Sequence, residues 1–421
     1  MTITRLDVHA ASEHMLANTR TLGTEAIALE ASRGRVLARD VVSSVFLPPW
    51  NNSSMDGFAV HAADVRGATA ANPVRLTVTE TIAAGGHSSR EVQRGEAVRI
   101  MTGAPVPAGA DSVVRIEDTD RGDAIIGITD DRDAERNIRL RGEDVRADSV
   151  VMRAGTAIGA PHIGVLSSVG CARPEVYRRP RVAILATGDE LVPLDRFDEV
   201  SSGMRIVSSN SYALAAAVTA AGGEPVQFGI APDNPDALAE RLRAAEGCDL
   251  VLTSGGVSVG DFDYTRNVVA ALGGTLSLWR VRMRPGAPLG FGSLFGVPWL
   301  GLPGNPVSAL VTFELFCRPL IRALGGYARP HRRTIGVTLG DAVHLGAPLT
   351  HFLRVVLDAD DDDGRPIAHL TGAQSSGMLT SMSSANALII VPPEPLDVPV
   401  GTRLRALVLD ADLGGSTRFL S

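Results

Sequence analysis

Residues 249–265 read "DLVLTSGGVSVGDFDYT". A short apolar run, a glycine-serine loop and a following amphipathic segment spell strand, loop and helix. Glycines at 255, 256 and 260 let backbone N–H groups approach an anion, and the helix that follows aims its positive end at the same place. Phosphate is the natural ligand. The stretch is neither GxxxxGK[ST] nor GxGxxG, which disfavours a nucleoside-triphosphate P-loop and a dinucleotide fingerprint. Asp261 and Asp263 would repel a phosphate unless a hard divalent cation sat between them, and magnesium is the usual choice. An aspartate capping the helix accounts for one carboxylate. It leaves the flanking glycines and serines without a reason.

Outward from this stretch, strand and helix alternate from about 181 to 327. "RVAILAT" reads as a buried strand, and "SYALAAAVTAA" as a helix stopped by Gly222-Gly223. "PVQFGI" follows as a strand and "DALAERLRAAEG" as an amphipathic helix. The repeat predicts an α/β domain over 179–327, a parallel sheet flanked by helices, with ligands gathering beyond the carboxyl ends of its strands. "LATGDEL", "GIAPDNPD" and the glycine loop all fall at that edge, bringing Glu190, Asp233, Asp261 and Asp263 with them. Singly, each acid reads as a helix cap or a solvated loop residue. Clustered carboxylates, however, repel without a metal or a shared proton.

The flanks have another character. Short β-like runs such as "VRLTVTET" and "DSVVRIED" predict a β-rich insertion over 46–144, bracketed by a discontinuous linker or dimerisation domain at 1–45 and 145–178. The start of the chain, "MTITRLDVHAASEHMLANTRTLG", reads as a short polar-faced helix. Residues 328–421 return to β character as a small terminal domain. Its acidic run, Asp358–Asp363, sits between two strand-like segments and ends at Gly364 as a hairpin tip would; EF-hand spacing is absent.

Composition fits such a multi-domain globular chain: 421 residues, 45% hydrophobic and 21% charged. A net charge of −7 argues against generic nucleic-acid binding. No run approaches the ~20 apolar residues that span a bilayer, so a soluble, cytoplasmic protein is expected. Cys171, Cys248 and Cys317 lack metal or redox spacing and read as ordinary buried thiols.

Other stretches carry chemistry more weakly. "LPGNPVSAL" sets Pro303, Asn305 and Pro306 before an apolar helix, where proline at the first helical position is a sufficient account. "RVRMRPGAP" runs Arg280, Arg282 and Arg284 into a Pro-Gly turn, a solvated strand face or an anion-capturing turn. In the insertion, "WNNSSMDGFAV" places Asp56 on a tight turn, "RIMTGAPVPAGAD" places Thr102 in a stiffened loop, and "RLRGEDVR" places Asp144 among arginines. Together they resemble a second wall facing a ligand.

These segments, with "SNSY" and "GAQSSGMLTSM", occur in the order found in the molybdopterin molybdenumtransferases, the molybdenum insertases related to the terminal domain of gephyrin. The chain resembles that family nearly end to end. The resemblance implies an elongated homodimer of four-domain subunits with a pterin-binding α/β domain and a terminal β-domain. It implies a magnesium-dependent transferase that takes adenylylated molybdopterin and molybdate, releases AMP and leaves molybdenum on the pterin dithiolene. By motif, Asp56, Thr102, Asp144, Glu190, Asp233 and Asp263 would form the catalytic set, with Glu190, Asp261 and Asp263 holding Mg2+. Ser254, Gly255, Gly256 and Ser258 would cradle the phosphate and adenylate region, and Pro303, Asn305 and Pro306 would shape the wall. Arg284, Arg354 and Ser376 would lie at the molybdate end. Molybdopterin adenylyltransferase and molybdoenzyme acceptors or chaperones would be partners, with no nucleic acid and no membrane. The family often reads K-P-G-K-P where this chain reads "RPGAP", so Ala287 replaces a lysine.

Two alternatives differ in class. A molybdopterin adenylyltransferase would show a TGGTG loop on a far shorter chain. A diverged, gephyrin-like scaffold would bind molybdopterin or partner peptides without releasing AMP.

Overall fold

In the computed structural model, which describes residues 3–256, 262–361 and 363–409, Arg181–Thr187 is the strand its apolar run predicts and is buried from Val182 onward. It runs parallel to Glu224–Ala231 on one side and to Leu250–Ser254 on the other. Leu250–Ser254 in turn runs parallel to Val297–Leu302. Near-continuous Val, Leu and Ile suit strands covered on both faces, and Leu250, Val251, Leu252, Leu300 and Leu302 are fully buried. Burying each such side chain is worth about 1.5–3 kcal/mol. Asp249 anchors the start of its strand: it accepts both Arg178 Nη atoms at 3.0 and 2.6 Å and the Arg181 N–H at 2.8 Å.

The seven-stranded sheet departs from the expected parallel sheet at one strand and gains another at its edge. Gly290–Leu294 lies antiparallel between Thr275–Val281 and Val297–Leu302, because a tight turn joins the last two strands and permits only antiparallel return. Ile3–Leu6 then adds at the edge, parallel to Thr275–Val281. The Val8–Ala17 helix follows it and sends Ala11 and Met15 into the α/β core. The first residues thus pack with the sheet, rather than with the rest of the 1–45 segment.

Helices cover the sheet as the alternation requires. Ser209–Ala221 stops at Gly222, whose φ of +96° is the left-handed cap that a glycine supplies at little cost. Pro235–Ala244 is capped by Asn234, whose side chain accepts from Asp236 and Ala237 N–H at 2.9 and 3.2 Å. The neighbouring Asp233 is therefore not the cap.

The insertion is built on a five-stranded sheet in the order Ser112–Arg115, Gly57–Val60, Glu96–Ile100, Val74–Ile82, Ile125–Ile128. In the terminal region Thr350–Asp360 pairs with both Pro366–Leu370 and Ala387–Val391, so the ladder through Thr334–Leu339 and Arg403–Val408 closes on itself. The acidic run makes the hairpin tip it predicts: Asp361 Oδ1 accepts the N–H groups of Asp363 and Arg365, both at 2.9 Å. Met283–Arg284 pairs with the start of Thr350–Asp360 and so carries the α/β domain into the terminal one. Cys248 and Cys317 are buried and Cys171 is half-buried, all three as free thiols.

Candidate functional site

Parallel strands end together. Thr187, Ser254 and the turn after Leu302 meet at the carboxyl edge of the sheet and enclose a cavity of about 410 Å³. Backbone forms much of its wall. Gly255 and Gly256 have φ of +95° and +64°, and a Cβ at Gly255 would stand 2.4 Å from the Thr187 carbonyl, so only glycine fits there. Glu190, Asp233, Gly304, Asn305 and Pro306 complete the rim. Asp189 steadies it by accepting the Asp233 N–H at 3.1 Å.

One residue inside this cavity carries no signal in the sequence beyond its place in "SNSY". Asn210, in the first turn of Ser209–Ala221, donates from Nδ2 to Ser254 Oγ and to the Gly304 carbonyl, both at 2.8 Å. It ties the glycine loop to the Pro303–Pro306 turn. The first turn of that helix also faces the cavity, through Ser208, Ser209 and Asn210, and its N-cap Ser208 makes no capping bond. Uncapped N–H groups at a helix start favour an anion.

A second cavity, about 560 Å³, opens where Met283–Arg284 meets the terminal region and is lined by Arg284, His344, His351, Arg354, Gln374, Ser375 and Ser376 among others. The two cavities flank one turn, because the Val307 N–H donates to the Ser376 carbonyl at 3.1 Å. Arg354 is fully buried. Its Nε donates to Ser381 Oγ at 3.0 Å, Nη1 to the Gln374 carbonyl at 3.2 Å, and Nη2 to the Ala373 and Ser375 carbonyls, both at 3.1 Å. Four of its five N–H donors are committed to the protein. It holds the 373–376 loop in place, with one Nη1 hydrogen left over. Burial pushes its guanidinium below the ordinary arginine value.

The insertion residues gather at a different place. Asp56 Oδ1 accepts the Thr102 N–H at 2.7 Å and the Thr102 hydroxyl at 2.8 Å, which together hold the carboxyl below its usual range. Gly57 follows of necessity, since a Cβ there would stand 1.9 Å from the Val114 carbonyl. Asn51 joins the loops: its Oδ1 accepts Arg141 N–H at 2.8 Å and its carbonyl accepts Val106 N–H at 2.9 Å. The Asp144 N–H donates to the Leu47 carbonyl at 3.0 Å. Among the described residues, Asp56, Thr102 and Asp144 line neither cavity of their own chain.

The comparisons with known proteins follow this layout. Residues 6–170 match the profile of the MoeA N-terminal region (domain I and II), residues 183–323 that of a probable molybdopterin binding domain, and residues 336–409 that of the MoeA C-terminal region (domain IV). The chain belongs to the MoeA family. A molybdopterin molybdenumtransferase of Nostoc is 41% identical over 88% of this chain and 85% of its own length. Its Bacillus subtilis counterpart is 34% identical over 93% and 91%. The crystal structure of the molybdopterin biosynthesis moeA protein from Pyrococcus horikoshii superposes with a TM-score of 0.82 at 27% identity, covering 96% of this chain and 100% of that one.

Within this family member, the carboxylates expected to hold a metal divide. Glu190 lines the first cavity, as does Asp233 of the expected catalytic set. Ser258 and Asp261 lie outside the described residues, and of Asp263 only its place in the Phe262–Ala271 helix is described. Among the described residues no group of three or more His, Cys, Asp or Glu forms a ready metal cage. Two carboxylates with backbone carbonyls and hydroxyls beside them are hard oxygen donors, the set that magnesium takes along with water and substrate phosphate. No helix among the described residues is long and apolar enough to cross a membrane.

Proposed function

We propose that this protein inserts molybdenum from molybdate into adenylylated molybdopterin, releasing AMP and forming the molybdenum cofactor. The observation that carries the reading is the bond from Val307 to Ser376, which sets a glycine-walled anion cavity beside a second cavity bearing Arg284. A substrate with a phosphoanhydride at one end and a dithiolene at the other needs two such sites. The first would orient the phosphates with backbone N–H groups and the uncapped first turn of Ser209–Ala221. The second would receive the oxyanion and set it beside the dithiolene.

Glu190, with Asp261 and Asp263, would hold Mg2+, and Asp233 stands on the same rim. When bound, that ion neutralises phosphate charge as the anhydride is cleaved. Pro303, Asn305 and Pro306 hold the wall against which the pterin would rest.

The placement of Asp56, Thr102 and Asp144 away from both cavities of their own chain supports a homodimer in which the insertion of one subunit closes the site of the other. Molybdopterin adenylyltransferase would supply the substrate, molybdoenzymes or their chaperones would take the product, and the cytoplasm would be the place of work. The test is direct: incubate the protein with adenylylated molybdopterin, magnesium and molybdate, and measure AMP and cofactor. Release of AMP with cofactor formation is expected; binding without AMP release would make the protein a scaffold.

A further inference from the structure

A histidine that lines the second cavity is paired with a carboxylate, and the family resemblance assigns neither residue. Val343–His344 pairs antiparallel with Asp397–Val398, in a register that sets His344 opposite Asp397. His344 Nδ1 lies 2.6 Å from Asp397 Oδ1. Alternation along the segment puts His344 and Gly346 on one face and Leu345 on the other. Leu345 is buried while His344 and Gly346 are exposed, as that alternation requires. Gly346 faces Arg284: a Cβ there would stand 3.3 Å from Arg284 Nη1. His344 therefore lies on the face turned toward Arg284, and both line the cavity.

We infer that His344, oriented by Asp397, is an oxyanion-binding residue that joins Arg284 in capturing the tetrahedral dianion. With Nδ1 bonded to the carboxylate, Nε2 is the ring nitrogen left for a ligand in the cavity that His344 lines. The other imidazole of the cavity does not serve in its place: burial holds His351 below the ordinary imidazole range, outweighing its bond to the Ala347 carbonyl, with a further push from Arg284. The charged and titratable groups facing His344 are Asp397 on the paired strand, Arg284, and His351 and Arg354 on Thr350–Asp360. The His344–Asp397 pair is largely exposed, and exposed ion pairs add little to stability. Its variants should stay folded.

This inference rests on the proposed function, and the experiment separates the two. Molybdate is titrated against cofactor formation at pH 6 in wild type, Arg284→Ala, His344→Ala, His344→Gln and Asp397→Asn. Loss of one charged hydrogen bond predicts a half-saturating molybdate concentration about 5- to 50-fold higher in His344→Ala at pH 6, with Asp397→Asn between it and wild type. His344→Gln, which keeps an N–H donor, should bind molybdate better than His344→Ala. If Arg284→Ala shifts the midpoint and His344→Ala does not, the assignment of His344 is overturned. If neither shifts it, the oxyanion binds elsewhere and the reading of this cavity falls with it.

Discussion

The Val307 N–H and the Ser376 carbonyl, 3.1 Å apart, join the first turn of the helix that walls one cavity to the loop that walls the other. Arg354 holds that loop from behind. Through these two residues, a change in the terminal region reaches the edge of the α/β sheet.

Arg354→Ala should therefore act first on structure. It strips hydrogen bonds from three carbonyls and the Ser381 hydroxyl around a buried side chain, a loss of about 2–4 kcal/mol. Thermal melting should fall by several degrees, and the molybdate requirement should rise as the 373–376 loop moves. Arg354→Lys keeps the charge, loses the fork and should recover only part of the stability.

Glu190 stands on the rim of the first cavity. Glu190→Gln should leave melting unchanged and slow AMP release by about a hundredfold, the usual size of effect when a group stabilising the reacting phosphates is neutralised. Chelating magnesium should stop release in both proteins. A Glu190→Gln variant with wild-type turnover would remove that residue from the reaction.

Asp56→Ala and Glu190→Gln subunits, each inactive alone, should regain part of the activity when mixed under conditions of subunit exchange, because one composite site per heterodimer would be whole. Recovery measured as AMP release, with exchange followed by mass, checks the homodimer. No recovery despite exchange means that each site is complete within one chain. Separately, Thr102→Val removes one of the two bonds that depress the Asp56 carboxyl, so its titration, followed by NMR, should move up.

Ala287→Lys should lower the molybdate concentration that gives half-maximal insertion, by about 5-fold or more, since a charge contact to an anion is worth roughly 1–3 kcal/mol. AMP release without molybdate should change far less, because the family resemblance puts this position with the oxyanion rather than the phosphates. Equal midpoints in the two proteins would show that His344 and Arg284 already saturate that site.

Asp133 links the insertion to acid stability. Burial raises its carboxyl pKa, but the Arg115 guanidinium at 2.9 Å, the Arg115 N–H at 3.0 Å and Asn137 outweigh that and hold it below the usual range. A depressed carboxyl contributes stability above its unfolded value, about pH 4, and loses it as pH falls through the folded value. Melting temperature should thus drop below about pH 4 in wild type. Asp133→Asn should melt lower at pH 7 and change less across the acid range.

What the sequence determined by itself is what repeats along the chain. The apolar runs at 181–187 and 250–254, the Gly222 stop and the α/β alternation were legible because strand and helix periodicity, and glycine's freedom at positive φ, are local properties. Their order placed the glycine loop, Glu190 and Asp233 at one sheet edge. Ordered motifs carried the family.

Only the tertiary structure decided which of these residues meet and what each is free to do. Nothing local distinguishes Asn234, which caps the helix, from Asp233 beside it, since both residue types cap equally well. The edge strand Ile3–Leu6 is defined by a partner more than 270 residues away, a pairing that its four residues cannot specify. Arg354 in "HFLRVV" reads as a cation available to a ligand, yet folding surrounds it with carbonyls that spend its donors. His344 and Asp397 are separated by 53 residues and become a pair only through strand register. A hydrogen bond depends on distance in space, and for these residues distance along the chain does not set it.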